Sequence, residues 1–305
     1  MDSIYISGKK TKIKNNKINR FVYGKRIVKR DTMYLYFAEK NIVNLNAWVN
    51  PERTVNNVGD YLSLVVVNYM CKRNGVSLEE KVNKTQHLYA IGSILLGNQD
   101  ATIWGSGFIS DSGLSRKKLV GMFHKLRHSL DIRAVRGPET LRILKEMGYG
   151  RFLENKCSGG MPFGDPAVMV PLIYPKDPIH KRKYKVVPHY SRYKSYNKED
   201  RIDTFQSDWR AFIDSILEAD LIISSSLHGI IIAESYGIPA IMLSDTPSRD
   251  ITKYKDWYYS TGRIDFPIAN SVEEGLAITP SKLDPEVLKK MQDGLIRSFP
   301  KDLWE

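Results

Sequence analysis

Cysteine is scarce. There are two in 305 residues, Cys71 inside a run of helical spacing and Cys157 in a loop-like stretch, and neither belongs to a CxxC pair or to a Cys/His cluster with ligand spacing. That excludes a disulfide scaffold and a structural zinc site, and it fits a reducing compartment. Long apolar runs are missing as well: no window of about 18 uninterrupted apolar residues occurs, and the opening MDSIYISGKK lacks the apolar centre of a signal peptide. A soluble, cytoplasmic protein is expected. There is no low-complexity tract, no fixed-period repeat, no Walker A sequence and no GxGxxG after a first strand. The last two absences argue against ordinary nucleotide-triphosphate and dinucleotide sites. No group of His, Cys, Asp and Glu has metal-ligand spacing, so neither a metal nor a cofactor is expected.

What is present is core material. At 42% hydrophobic residues, with 14 Pro and 21 Gly to punctuate them, the chain has the length and apolar content of two compact domains. The net charge of +12 is concentrated in one place: residues 9–30 (KKTKIKNNKINRFVYGKRIVKR) hold ten Lys/Arg and no acid. Such a segment is either a solvated arm or a peripheral contact with an anionic membrane, where each basic residue adds about 1 kcal/mol. No RNA- or DNA-binding motif accompanies it, which sets nucleic acid aside as a partner.

Along the chain, short β-branched and aromatic runs alternate with helical spacing. MYLYFA (33–38) and IVNLNAWV (42–49) read as strands. NNVGDYLSLVVVNYMCKRNG reads as a loop and then a helix, in which Leu62, Val65, Val66 and Tyr69 recur until Asn74 and Gly75 stop it. HLYAIGSIL and ATIWGSGF end in glycine loops, and LDIRAVRGPETLRILKEMGYG gives a strand, a helix start at Pro138 and a helix that ends at Gly148. The proline-rich DPAVMVPLIYPKDPIHKRKY reads as an interdomain connection. Beyond it YKVVPHY, DLIISSS and IPAIMLS read as strands, SDWRAFIDSILEA and LHGIIIAESYG as helices, with Ser207 or Asp208 as a cap. This is an α/β pattern with parallel sheets and right-handed crossovers. It divides into four segments: a basic arm and first strand (1–42), an N-terminal domain (43–172), a C-terminal domain (173–283) and a terminal helix that packs back at the junction (284–305).

In such sheets ligands bind beyond the carboxyl ends of the strands, at helix N-termini. Four loops fall there and are expected to line one interdomain cleft: Asn57 to Asp60, Gly105-Ser106-Gly107, Arg136 to Glu139, and Ser224-Ser225-Ser226-Leu227-His228-Gly229. His228 reads as an anion ligand or proton donor at a helix start, or as a core histidine satisfied by a carbonyl. Arg136 reads as a grip on phosphate or carboxylate, or as a salt bridge to Glu139. Asp60 reads as an acid/base for a sugar hydroxyl or as a helix cap. His189 lies just past a strand and stands ready to assist. Glu234, six residues after His228, reads as a helix-surface or interdomain salt bridge. The run Trp257-Tyr258-Tyr259 reads as a sugar-stacking surface or as core.

Taken together and in order, NNVGDYLS, WGSGF, VRGPET, FGDPAV, ISSSLHGIIIAESYGIPAIML and YKDWYYSTGR resemble the polysaccharide pyruvyl transferases over about residues 43–265. The resemblance implies two Rossmann-like domains facing across a cleft in the glycosyltransferase-B manner. It implies transfer of the enolpyruvyl unit of phosphoenolpyruvate, the donor substrate, to two hydroxyls of one sugar, giving a cyclic ketal and phosphate. Carried over by position, His228 and Asp60 are the catalytic pair, and Arg136, residues 224–229 and Arg263 hold the donor. Asn57, Gly59, Asp60, Gly105, Ser106, Gly107 and His189 face the acceptor. Many members carry Arg immediately before Leu-His-Gly, where this chain has Ser226. Arg263, Arg192 or Lys194 stand as replacements, the alternative being a donor held mainly by N–H groups. The implied acceptor is a sugar of a bacterial surface polysaccharide or its lipid-linked precursor, and the basic arm suits the latter at the inner membrane face. Two rival functions share the pattern: a nucleotide-sugar glycosyltransferase of the same two-domain architecture, and a non-catalytic protein that binds an anion or a lipid carrier.

Overall fold

The structure, a computed structural model, describes residues 40–305 apart from 48, 50–54, 96–98, 112–127, 150–159 and 246–249. The basic segment 9–30, the run 33–38 and Cys157 lie outside the described residues.

Two four-stranded parallel sheets carry the fold. The first is built from Val43–Asn46 (β1), Gln86–Tyr89 (β3), Ala101–Trp104 (β4) and Leu130–Ala134 (β5), ordered β1-β3-β4-β5. The second contains Lys185–Val187 (β6), Ile222–Ser224 (β8), Ala240–Leu243 (β9) and Ile268–Ala269 (β10), ordered β10-β9-β8-β6. Parallel strands are covered on both faces, which is why β1, β4 and β9 are buried at every residue and read as continuous runs rather than alternations. Among the described residues the α-helices are Val58–Arg73 (α1), Pro138–Leu144 (α2), Val170–Ile173 (α3), Trp209–Leu217 (α4), Leu227–Ser235 (α5), Thr252–Ser260 (α6), Val272–Ala277 (α7) and Pro285–Arg297 (α8). Pro138 opens α2 at its first turn, where its missing N–H costs nothing. Asp208, rather than Ser207, caps α4 by accepting from Arg210 N–H at 2.9 Å.

A pair of two-residue strands, Asn56–Asn57 (β2) and Phe205–Gln206 (β7), joins antiparallel, so the start of α1 is held by chain from the other side of the molecule. Val58 N–H donates to Thr204 O at 2.8 Å beside this ribbon. One hydrophobic cluster then runs through both sheets, from Leu45 and Leu62 to Ile230, Met242 and Trp257. α5 explains itself in this setting: Ile230, Ile231 and Ile232 are all fully buried, because the helix contacts β8, β9, α3, α4 and α6 and has no outer face. Each such side chain contributes roughly 1.5–3 kcal/mol of burial.

The run 165–184, read from its prolines as a connection, begins differently. Pro166–Met169 form a 3-10 turn that leads into α3, and Ala167, Val168, Met169 and Val170 are fully buried. They pack between α1, α5 and α8. The exposed stretch begins only near Pro175. At the far end, Asp284 caps α8 and Pro285 starts it. This helix and the C-terminal residues beyond it lie on the first sheet: Trp104 Nε1 donates to Leu295 O at 2.9 Å, Trp304 Nε1 to Ser77 O at 2.6 Å, and Arg133 forks onto Asp302.

Candidate functional site

Two helix N-termini meet. α1 starts from Asn57 in extended conformation, without a side-chain cap, and places Gly59 and Asp60 in its first turn. α5 starts from Ser226, also without a side-chain cap, and places His228 in its first turn. They approach so closely that a Cβ built on Gly59 would stand 2.0 Å from His228 Nδ1. Only glycine leaves room for the ring. A third wall is the Gly164-Asp165-Pro166 turn. Asp165 is fully buried; one carboxylate oxygen, Oδ1, accepts from Ala167 N–H at 3.0 Å, while Oδ2 faces His228 Nε2 at 3.7 Å. Both facing atoms are buried and make no hydrogen bond. The His228 side chain retains 16% exposure, so the ring is reachable from one side.

Asp60 lies beside this pair and under the loop after β3, its Oδ1 close to Gly92. Burial pushes its carboxyl up to about 6; the charges of His228 and Lys253 oppose that rise and the charge of Asp165 adds to it. The cluster thus holds an acid close to neutrality, an imidazole, a second carboxylate and an ammonium group. Such a set can give and take protons beside an anion bound at the helix ends.

The raised Asp60 value carries a stability prediction. From the ordinary 3.8 up to about 6 the folded state keeps a proton that the unfolded chain has released. The stability owed to that proton is full below the unfolded value and is lost as pH rises through about 6. Asp60→Asn removes the titration, so its melting temperature relative to wild type is expected to climb between about pH 4 and about pH 7. Thermal unfolding of both proteins across this range checks it, and a gap that stays constant or narrows rejects it.

The other expected site residues brace or border this cluster. Ser224 Oγ accepts from Ser226 N–H and lies within hydrogen-bond distance of the carbonyls of Val187 and Ser226, which share its one proton. Ser225 Oγ accepts from His189 N–H at 2.8 Å and donates to Asp245. These hydroxyls stiffen the loop that carries His228. Leu227 is buried core, Gly229 presses on Ser224 and Val187, and Ser226 is partly exposed. His189 stands beside this loop, its ring against Tyr190 at 4.3 Å. Gly105, Ser106 and Gly107 form a buried turn packed on Pro166 and Arg136, with Ser106 Oγ donating to Gly92 O. Asn57 sits in the β2–β7 ribbon.

Arg136 differs most from expectation. It is fully buried, and its guanidinium donates to Asp256 Oδ2 at 3.0 Å, Ser93 Oγ at 2.9 Å and Phe108 O. Asp256 in turn accepts from Thr140 N–H and Thr140 Oγ–H in the first turn of α2. A donor anion would have to displace these partners to reach the guanidinium. Nor is Glu139 its ion partner, because Glu139 pairs with Arg142 at 2.9 Å. Arg263 is likewise engaged: it forks onto Glu234 at 2.6 and 2.7 Å, and Trp257 Nε1 donates to the same carboxylate at 2.7 Å. Glu234 is therefore a buried anchor and not a helix-surface residue; burial pushes its carboxyl up against the pull of Arg263. Trp257 and Tyr258 are fully buried core. Three residues that the sequence reading left out of the site are Asp165, Lys253 and Asp256. Asp165 belongs to FGDPAV, and Lys253 and Asp256 precede the aromatic run Trp257-Tyr258-Tyr259; no local pattern marks any of the three for the site.

No helix among the described residues is long and apolar enough to cross a membrane, and none of their His, Cys, Asp and Glu side chains group as a metal site. An uncharacterized protein of Acanthamoeba polyphaga mimivirus is 29% identical over 175 residues, which cover 52% of this chain and 54% of that protein. The chain thus spans about half the length of the curated relative it matches. The family model described as Polysaccharide pyruvyl transferase matches residues 57–247, so that His228, Asp165 and Asp60 all fall inside it. The chain belongs to the polysaccharide pyruvyl transferase family, a family of transferases.

Proposed function

We propose that this protein moves the enolpyruvyl unit of phosphoenolpyruvate onto two hydroxyls of one sugar, forming a cyclic pyruvate ketal and releasing phosphate. The observation that carries this reading is the meeting of the α1 and α5 N-termini around His228, Asp60, Asp165 and Lys253, inside the span that matches the family. In this reading the two parallel sheets are the Rossmann-like halves, 43–172 and 173–283, of a glycosyltransferase-B arrangement with the donor between them.

The chemistry uses these groups in order. Free N–H groups and the positive ends of the two helices, with Lys253, hold the donor's phosphate and carboxylate. His228, protonated, gives its proton to the methylene carbon, leaving an oxocarbenium-like centre at the adjacent carbon. A sugar hydroxyl adds there and loses its proton to Asp60. Phosphate departs with its C–O bond electrons, and the second hydroxyl closes the ring with loss of its own proton. One proton is bound to carbon and two leave oxygen, so the balance is ketal plus hydrogen phosphate. With Arg263 and Arg136 already paired, the N–H groups at the two helix starts take the place of the arginine that Ser226 lacks. The acceptor is a sugar of a surface polysaccharide or its lipid-linked precursor, and residues 9–30, with ten basic residues, suit a peripheral contact with the membrane that carries it.

The test is incubation with phosphoenolpyruvate and a panel of sugars and lipid-linked sugars, read by phosphate release and product mass. A product heavier by one pyruvate ketal, formed with stoichiometric phosphate, is expected. A hexose added from a nucleotide sugar without dependence on phosphoenolpyruvate would replace this reading with a glycosyltransferase. Binding without turnover would leave an anion- or carrier-binding protein.

A further inference from the structure

The buried face between Asp165 and His228 asks for an explanation of its own. Two polar atoms, Asp165 Oδ2 and His228 Nε2, are sealed from water 3.7 Å apart with no other partner. A buried carboxylate oxygen left unsatisfied is costly, and the gap is too long for a hydrogen bond and too short to admit a water between them. If Asp165 served only to cap the 3-10 turn at Pro166–Met169, its Oδ1 alone would do so, and nothing would call for a second charged oxygen aimed at an imidazole. Among the described residues, the backbone of Gly59 from α1 borders this ring, and the charges of His228 and of Lys253 from α6 act on the Asp60 carboxyl.

We propose that Asp165 is the positioning residue for His228: a small closing movement of the ring makes Nε2–H donate to Oδ2, which fixes the tautomer and leaves Nδ1, on the Gly59 side, as the nitrogen that exchanges the proton. No bond to carbon is made or broken by Asp165, and the Nε2 proton stays on the ring throughout. When Nδ1 carries the transferable proton, the imidazolium is held by the carboxylate behind it; once Nδ1 has given that proton up, the neutral ring keeps its Nε2–H form. This inference rests on the pyruvyl-transfer reading for its consequence in turnover, while the tautomer itself is measured without substrate.

The experiment is nitrogen NMR of the full chain labelled at histidine, whose six residues are assigned with the aid of His228→Gln. In the unsubstituted protein the neutral His228 ring is expected as the Nε2–H tautomer with a slowly exchanging proton; an Nδ1–H ring overturns the proposal. Asp165→Asn keeps an oxygen for the Ala167 cap but turns an NH2 group toward Nε2. The ring is expected to switch to Nδ1–H, and turnover to fall on the order of a hundredfold or more with little change in donor KM. An unchanged tautomer together with unchanged turnover in a folded Asp165→Asn protein would assign Asp165 to capping alone. Should that variant not fold, Asp165→Ser, which also caps, supplies the same comparison, and the wild-type spectrum still decides the tautomer. If phosphoenolpyruvate is not a substrate and the tautomer is as expected, the dyad stands and the donor assignment fails.

Discussion

His228→Gln is expected to lower turnover by about a hundredfold to ten-thousandfold, the loss caused by removal of a positioned acid/base, while the protein stays folded. Glutamine cannot transfer a proton near neutral pH, yet it is polar and fits a site that is not sealed: the His228 side chain keeps 16% exposure and its Nε2 makes no hydrogen bond that the change would break. Under the proposed mechanism the loss belongs in kcat rather than in the KM for phosphoenolpyruvate, because that mechanism assigns the donor's charges to the helix ends and not to the imidazole. Initial-rate measurements of phosphate release, with circular dichroism as the control for folding, separate these quantities. Turnover within a few-fold of wild type would remove His228 from the chemistry.

The second large effect lies in stability. Asp256→Ala is expected to destabilise the protein by about 3–5 kcal/mol, because it leaves the Arg136 guanidinium buried without its carboxylate. It also strips the first turn of α2 of an acceptor, since both oxygens of Asp256 receive bonds from Thr140. Gly137 shows how tightly the parts fit: a Cβ there would stand 2.0 Å from Asp256 O. Replacing both partners, as Arg136→Met with Asp256→Leu, removes the stranded charge and is expected to recover a large part of the loss. Urea unfolding of the single and double variants measures this. A single variant as stable as wild type would show that the pair carries no structural weight. Under conditions where Arg136→Met remains folded, its KM for phosphoenolpyruvate should stay near the wild-type value; a large rise would return Arg136 to the donor.

These two residues mark where sequence reading succeeded and where it stopped. His228 announced itself locally, as a polar side chain at the mouth of an apolar helix that comes after three serines, and the helix does start at Leu227. The helix over 58–73 was legible for the same reason, since its apolar spacing ends at Asn74 and Gly75, and Pro138 and Asp208 mark helix starts in the manner their chemistry demands. Arg136 also sat at a helix start, but its partner is 120 residues away, and no local pattern distinguishes an arginine that awaits an anion from one that already has a carboxylate. Asp165 and Glu234 share this property: the salt bridge expected of Glu234 exists, but its partner Arg263 lies 29 residues away, and His228 lies far along the chain from Asp165. The two-residue ribbon β2–β7 is too short to leave a periodicity, and the burial of residues 166–170 was hidden by prolines that break helices farther along.

The return of α8 to the first sheet has a consequence for how the chain is made. Trp104 finds its acceptor 191 residues later in Leu295, and Trp304 reaches Ser77 across 227 residues. At ribosomal speeds of about 5–20 residues per second, the first of these intervals is on the order of ten to forty seconds. Through that time the newborn first sheet waits for the helix that accepts from Trp104, so the packing of this flank is completed only after α8 has been made.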